Sequence, residues 1–151
     1  MSVIEYKNVF SKLDIKNIYD NLTDLPFYFN GVSNSNTNDF HNDGKYTFWN
    51  CELHENTIYT KYFLNKIEKI SNKKFKLNRV YVNAALYGTP GYPHTDDEEP
   101  NTYTFLYYLM NGEWDVRWGG KTCFDLSKET KNEYIFIVPE YNKGILFESS
   151  I

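Results

Sequence analysis

Residues Arg79 to Tyr87 read RVYVNAALY, and here the hydrophobic period of the chain changes from helical to two. Val80, Val82, Ala84 and Leu86 alternate with Tyr81, Asn83, Ala85 and Tyr87, the pattern of a strand whose successive side chains point to opposite faces. Gly88, Pro90 and Gly91 stop it. Thr102 to Met110, TYTFLYYLM, predicts a second strand, apolar on both faces and therefore well buried. Lys121 to Asp125, Tyr134 to Val138 and Gly144 to Phe147 are further strand candidates. Gly119-Gly120, Ser127-Lys128, Pro139 and Asn142-Lys143-Gly144 punctuate them. Short strands with turns between them suggest a sandwich or barrel with helices packed on one side.

Upstream, Gly31 to Gly44 (GVSNSNTNDFHNDG) reads as a polar loop and divides the chain into a helical front and a strand-rich back. Ser11-Lys12-Leu13-Asp14 resembles a capping box with Asp14 in place of Glu. Leu13, Ile18, Tyr19 and Leu22 then recur at roughly helical spacing, and Pro26 marks the end. A second helix is predicted from about Glu55 to Ser71. Ile58, Tyr62, Phe63, Ile67 and Ile70 fall on one face, and Lys61, Lys66 and Lys69 lie away from it. Both stripes read as core-facing surfaces.

The 151 residues suit a single domain, and 41% hydrophobic with 19% aromatic residues is enough for a core built on Phe and Tyr. The net charge of −4 argues against non-specific nucleic-acid binding, although a local basic pocket is compatible with it. Cys51 and Cys123 form no CxxC pair and read as two mostly buried free thiols of a reducing compartment. With no apolar leader and no membrane-length apolar run, the expectation is a soluble, cytoplasmic protein.

After the first strand comes Gly91 to Leu109, GYPHTDDEEPNTYTFLYYL, which runs into the second. In an extended segment His94 and Asp96 project to one side, so an imidazole nitrogen and a carboxylate oxygen can meet one ion. That pair suits Fe(II), and one more histidine would complete a facial triad with three open positions. Alone the spacing is weak: three histidines and nine aspartates make a chance His-x-Asp roughly a one-in-five event. Asp97, Glu98 and Glu99 read as solvated charge.

The surrounding order is more specific. Asn83, Tyr87, Gly88, His94 and Asp96 are followed by Thr104, Tyr107, Tyr108, Leu109, Asn111 and Trp114. Then come Trp118-Gly119-Gly120, Thr122, Phe124, Pro139 and Gly144-Ile145-Leu146-Phe147. This order resembles the Fe(II)- and 2-oxoglutarate-dependent dioxygenases of the prolyl-4-hydroxylase-like group, over about Arg79 to Ser150. The resemblance implies a mostly β fold with flanking helices, a double-stranded β-helix (jelly-roll). The single domain 1–151 then has a helical front at 1–75 and a jelly-roll core at 76–151. It implies Fe(II), 2-oxoglutarate, O2 and ascorbate as reductant. The reaction would be hydroxylation of a peptidyl, prolyl-type or small-molecule substrate, with release of succinate and CO2. By position His94 and Asp96 match the first two iron ligands. Tyr108 matches a tyrosine that bonds the distal carboxylate of 2-oxoglutarate, and Tyr87 one near the cofactor or substrate. Asn83 shares a predicted strand face with Tyr87. Trp114, Trp118 and Gly119-Gly120 read as a buried bend after the strand, with the mouth of the cavity as the alternative. The net charge and the lack of a membrane-length apolar run give the expectation of no nucleic-acid and no membrane partner.

Two family features are missing. The second histidine is due shortly after Gly144 to Phe147 and an arginine further on, but the chain reads Phe147-Glu148-Ser149-Ser150-Ile151. His41 and His54 precede His94, the wrong order, and read as surface or structural residues, with His41 the remaining substitute. The expectation is therefore a C-terminally incomplete jelly roll lacking its last strands, catalytically inactive by itself. The alternative is a truncated or degenerate non-catalytic binding module.

Overall fold

The computed structural model describes residues 3–31, 47–53, 58–89, 91–126 and 133–151. Among them are eight strands: β1 (Ile4–Lys7), β2 (Tyr28–Gly31), β3 (Phe48–Glu52), β4 (Tyr81–Ala84), β5 (Tyr103–Tyr107), β6 (Thr122–Asp125), β7 (Tyr134–Ile137) and β8 (Lys143–Glu148). Helix α1 spans Lys12–Leu22. A π-helical segment, Ile58–Phe63, runs into α2, Leu64–Ser71. All strand pairing is antiparallel, in sheets ordered β1-β8-β5, β2-β3-β4 and β6-β7. No described helix is long and apolar enough to cross a membrane.

The chain divides into two compact units. One, the terminal unit, joins Met1–Phe10 to Pro93–Ile151; the other, the central unit, is Ser11–Tyr92. The boundary read from sequence at 75/76 falls inside the central unit, between α2 and β4.

β8 organises the terminal unit. It lies between β1 and β5, and Ile145, Leu146 and Phe147 are exposed by 0%, 3% and 6%. Ile145 pairs with Glu5 on one side and Leu106 on the other, so one sheet face carries Glu5, Leu106, Ile145 and Phe147. The β6-β7 hairpin packs on this face through Phe124 and Ile137. The Phe124 and Phe147 rings meet edge to face with centroids 4.8 Å apart. Each such buried side chain contributes about 1.5–3 kcal/mol. Thr102 to Met110, expected to be well buried, forms the shorter β5 and is only half-buried throughout. Among the described strands it pairs with β8 alone.

A long-range clasp holds the start of the chain against β8. Asn142, buried and at φ 56°, precedes the strand in a left-handed turn that asparagine tolerates. Its side-chain amide acts like a peptide group. Oδ1 accepts from the Phe10 N–H at 2.8 Å, and Nδ2 donates to the Phe10 carbonyl at 2.7 Å. The Val9 N–H donates to the Asn142 carbonyl at 3.2 Å, and the Tyr107 hydroxyl donates to Oδ1 at 3.2 Å.

In the central unit, Ser11 caps α1. Its hydroxyl accepts from the Asp14 N–H while the Asp14 carboxylate accepts from the Ser11 N–H, the reciprocal box read from sequence. The buried stripe differs from the expected one: Ile15 and Ile18 are buried and Leu13 is 67% exposed. The second helix also departs from its pattern. Its i→i+5 winding before α2 carries side chains to other angles than a 3.6 period predicts. Tyr59 is therefore buried, its hydroxyl donating to the Ile18 carbonyl at 3.4 Å, and Tyr62 is 38% exposed. Residues 54–57, the expected first turn, lie outside the described residues. Strands β1, β2 and β3 all belong to the part of the sequence read as helical. Each has four or five residues, too few to establish a period.

Candidate functional site

The site grows from an irregular segment between Pro93 and Thr102. The backbone N–H groups of Asp96 and Asp97 both donate to the Ser149 carbonyl, at 2.8 and 3.1 Å. The Ser149 N–H donates to the Thr102 carbonyl at 3.1 Å, and the Thr104 and Ser149 hydroxyls are 3.0 Å apart. The His-x-Asp segment is thus fastened where β5 begins and β8 ends. The Asp97 carboxylate turns back to accept from the Glu99 N–H at 3.0 Å, which closes a local turn. Asp96 is the carboxylate that turns toward the histidine. His94 Nε2 lies 3.3 Å from Asp96 Oδ1, with side-chain exposures of 29% and 18%. A nitrogen and an oxygen donor therefore sit together, both partly covered.

Tyr108 is held elsewhere along the same strand direction. Its hydroxyl is 2.7 Å from the Thr122 hydroxyl, joining the end of β5 to β6. Burial pushes its pKa up, against the Thr122 hydrogen bond, which lowers it. Six residues of extended chain, about 20 Å, separate the Thr102 and Tyr108 backbones. Tyr87 belongs to the central unit, on the turn with Gly88, and is 85% exposed. β4 ends at Ala84, so Asn83 and Tyr87 do not share a strand; Asn83 is exposed and pairs across to Asn50. Of the four residues selected from sequence, the structure brings His94 and Asp96 into contact.

The expected buried bend at Trp114 and Trp118 is an exposed one. Trp118 is 54% exposed and meets Trp114 edge to face at 5.3 Å, and the Trp114 indole N–H donates to the Gly119 carbonyl. A short 3-10 turn, Val116–Trp118, places Val116 outward as well. Of the two free thiols, Cys51 is buried as expected but Cys123 is exposed, on the outer face of β6. His41 and His54 lie outside the described residues.

Sequence reasoning missed Lys143, which reads locally as part of an Asn-Lys-Gly turn. Its side chain is 3% exposed. Nζ donates to Glu5 at 2.6 Å, Glu140 at 2.9 Å and the Val138 carbonyl at 3.1 Å. Burial lowers its pKa, but hydrogen bonds and charge from Glu5 and Glu140 outweigh this and leave it raised. These groups, with Lys7, line a concavity of about 660 Å³. The signal was absent because Glu5 is 138 positions away.

Neutral imidazole nitrogen and carboxylate oxygen are the donor types for a first-row divalent metal, and the His94–Asp96 contact fits two ligands of such a site. Among the described residues no group of three or more histidine, cysteine, aspartate or glutamate side chains is placed to hold a metal. No family model, curated protein or solved structure matches the chain.

Proposed function

We propose that the chain is an Fe(II)- and 2-oxoglutarate-dependent oxygenase of the prolyl-4-hydroxylase-like group, on a jelly-roll fold. It hydroxylates a peptidyl, prolyl-type or small-molecule substrate with release of succinate and CO2. One observation carries the reading: His94 Nε2 and Asp96 Oδ1 converge to 3.3 Å with both side chains partly exposed. The two would hold the metal, and iron bound there with 2-oxoglutarate and O2 supplies the oxidising power for hydroxylation. The Ser149 carbonyl, by accepting two backbone N–H groups, keeps Asp96 oriented. His94 must present Nε2 without a proton, as any metal-binding imidazole does.

The test is Fe(II) titration of the chain and of His94→Ala and Asp96→Ala. It is followed by an assay of succinate formation from 2-oxoglutarate with Fe(II) and ascorbate, on protein carrying any further residues its reading frame encodes. Iron binding lost in both variants, with succinate formed, supports the oxygenase. Absence of both iron binding and succinate overturns it. The lack of a third donor among the described residues favours a second reading, a non-catalytic jelly-roll binding module. Ligand binding that persists without iron and is unchanged in His94→Ala and Asp96→Ala selects that module.

A further inference from the structure

The net charge of −4 conceals a segregation. Residues 61–79 hold seven of the sixteen cations and a single carboxylate, Glu68, so this segment carries +6 and the rest of the chain −10. The segment lies wholly within the central unit. Lys61, Lys69, Lys73, Lys74, Lys76 and Arg79 are all exposed, and Lys66 is partly so.

The fold gathers these charges. Asn72 closes α2 in a left-handed conformation at φ 53°. The chain then folds back along the helix end because Glu68 accepts from the Phe75 N–H at 3.0 Å and from Lys74 Nζ at 2.7 Å. Lys73 and Lys74 thereby join Lys69 around a concavity of about 420 Å³, which Asn65, Glu68 and Asn72 also line. The C-terminal end of a helix adds no positive charge of its own; it favours the cations that collect there. Beyond it, residues 73–79 run without regular structure and leave Lys73, Lys76 and Arg79 exposed. Six residues of extended chain give this row a length of about 20 Å.

We propose that this surface is a docking site for single-stranded nucleic acid. Seven cations against one carboxylate match a line of phosphates rather than a single anion. Glu68 beside Lys74 and Glu52, paired across the sheet with Tyr81, offset part of this charge and leave an excess of cations, and exposed charges more than about 10 Å away are largely screened at 0.1 M salt. The interleaved rings suit bases that are free to stack: Phe75 and Tyr81 are partly exposed, and the Arg79 guanidinium sits 5.1 Å over the Tyr81 ring. An anionic membrane fits less well. Phe63, Ile67 and Ile70 are partly covered rather than displayed, and Leu77, 37% exposed, is the one large apolar side chain standing out between Lys73 and Arg79.

The experiment is fluorescence anisotropy with labelled 20-nucleotide oligo(dT) and oligo(U), from 50 to 300 mM salt. Four to five phosphate contacts predict a slope of log K against log salt of about −3. Lys73→Gln, Lys74→Gln, Lys76→Gln and Arg79→Gln together should lower affinity at least about tenfold at 50 mM and flatten the slope toward zero. A control of equal charge change, Lys7→Gln, Lys12→Gln, Lys16→Gln and Lys121→Gln, should bind as the parent does. Circular dichroism establishes that both variants fold. No binding at 50 mM, an equal loss in the control, or binding to phosphatidylserine vesicles but to neither oligonucleotide overturns the proposal.

Discussion

At the residue scale, the terminal unit rests on two side chains that complete backbone or charge pairing over long sequence distances. Asn142→Ala removes the acceptor for the Phe10 N–H and the donor to its carbonyl, and the alanine must also hold φ near 56°. The expected loss is about 2–4 kcal/mol, from stranded buried polar groups and strain, read from urea unfolding. Lys143 behaves asymmetrically. Lys143→Met leaves Glu5 and Glu140 free to turn to water, since both are more than 40% exposed. Glu5→Gln with Glu140→Gln instead strands a buried ammonium. The double variant should therefore unfold at lower urea than Lys143→Met; the reverse order would mean that the ammonium is not held by these carboxylates.

The pH dependence follows from the same groups. The Lys143 and Lys7 hydrogen bonds hold Glu140 below its ordinary 4.5, and the Ser11 hydrogen bond holds Asp14 below 3.8. A lowered carboxylate contributes stability that is present above its unfolded value and lost as pH falls through its folded one. Lys143 is raised above 10.5, so its contribution is complete below that value and lost as pH rises through the folded one. Urea midpoints should be flat across neutral pH with respect to these groups and decline below about pH 4.5. Glu140→Gln should shrink the acid decline.

At the element scale, α1 depends on its box and β8 on close approach. Ser11→Ala should cost about 1 kcal/mol, because the Asp14 N–H loses its acceptor and the Asp14 carboxylate its donor, both the Ser11 hydroxyl. Gly144 is needed for space: an added Cβ would meet the Phe105 ring at 2.3 Å. Gly144→Val should destabilise by about 1–3 kcal/mol, and Phe105→Leu in the same chain should restore part of this in thermal melts.

At the scale of the whole molecule, the terminal unit is assembled from both ends of the sequence. β8 therefore needs residues 4–10 to cover one edge and to bury Val9 and Phe10, exposed by 1% and 4%. Deleting residues 1–10 should abolish slow hydrogen exchange at β8 amides and leave that edge prone to intermolecular pairing. Retained protection across β8 would show that β5 and the hairpin suffice.

What the sequence determined by itself was local: the capping box at Ser11, the breaks at Gly88 and Asn142, most strands after Arg79, and the His94–Asp96 pair two residues apart on one side. These follow from hydrogen bonds and side-chain directions within a few residues. The tertiary structure alone decided that β1 pairs with β8, that Tyr59 rather than Tyr62 is buried, that Lys143 is clasped by Glu5, and that Tyr108 lies at the far end of β5 from His94 and Asp96. Pairing between residues more than a hundred positions apart leaves no period to read, because its stabilisation comes from surfaces that meet only once the chain has closed on itself.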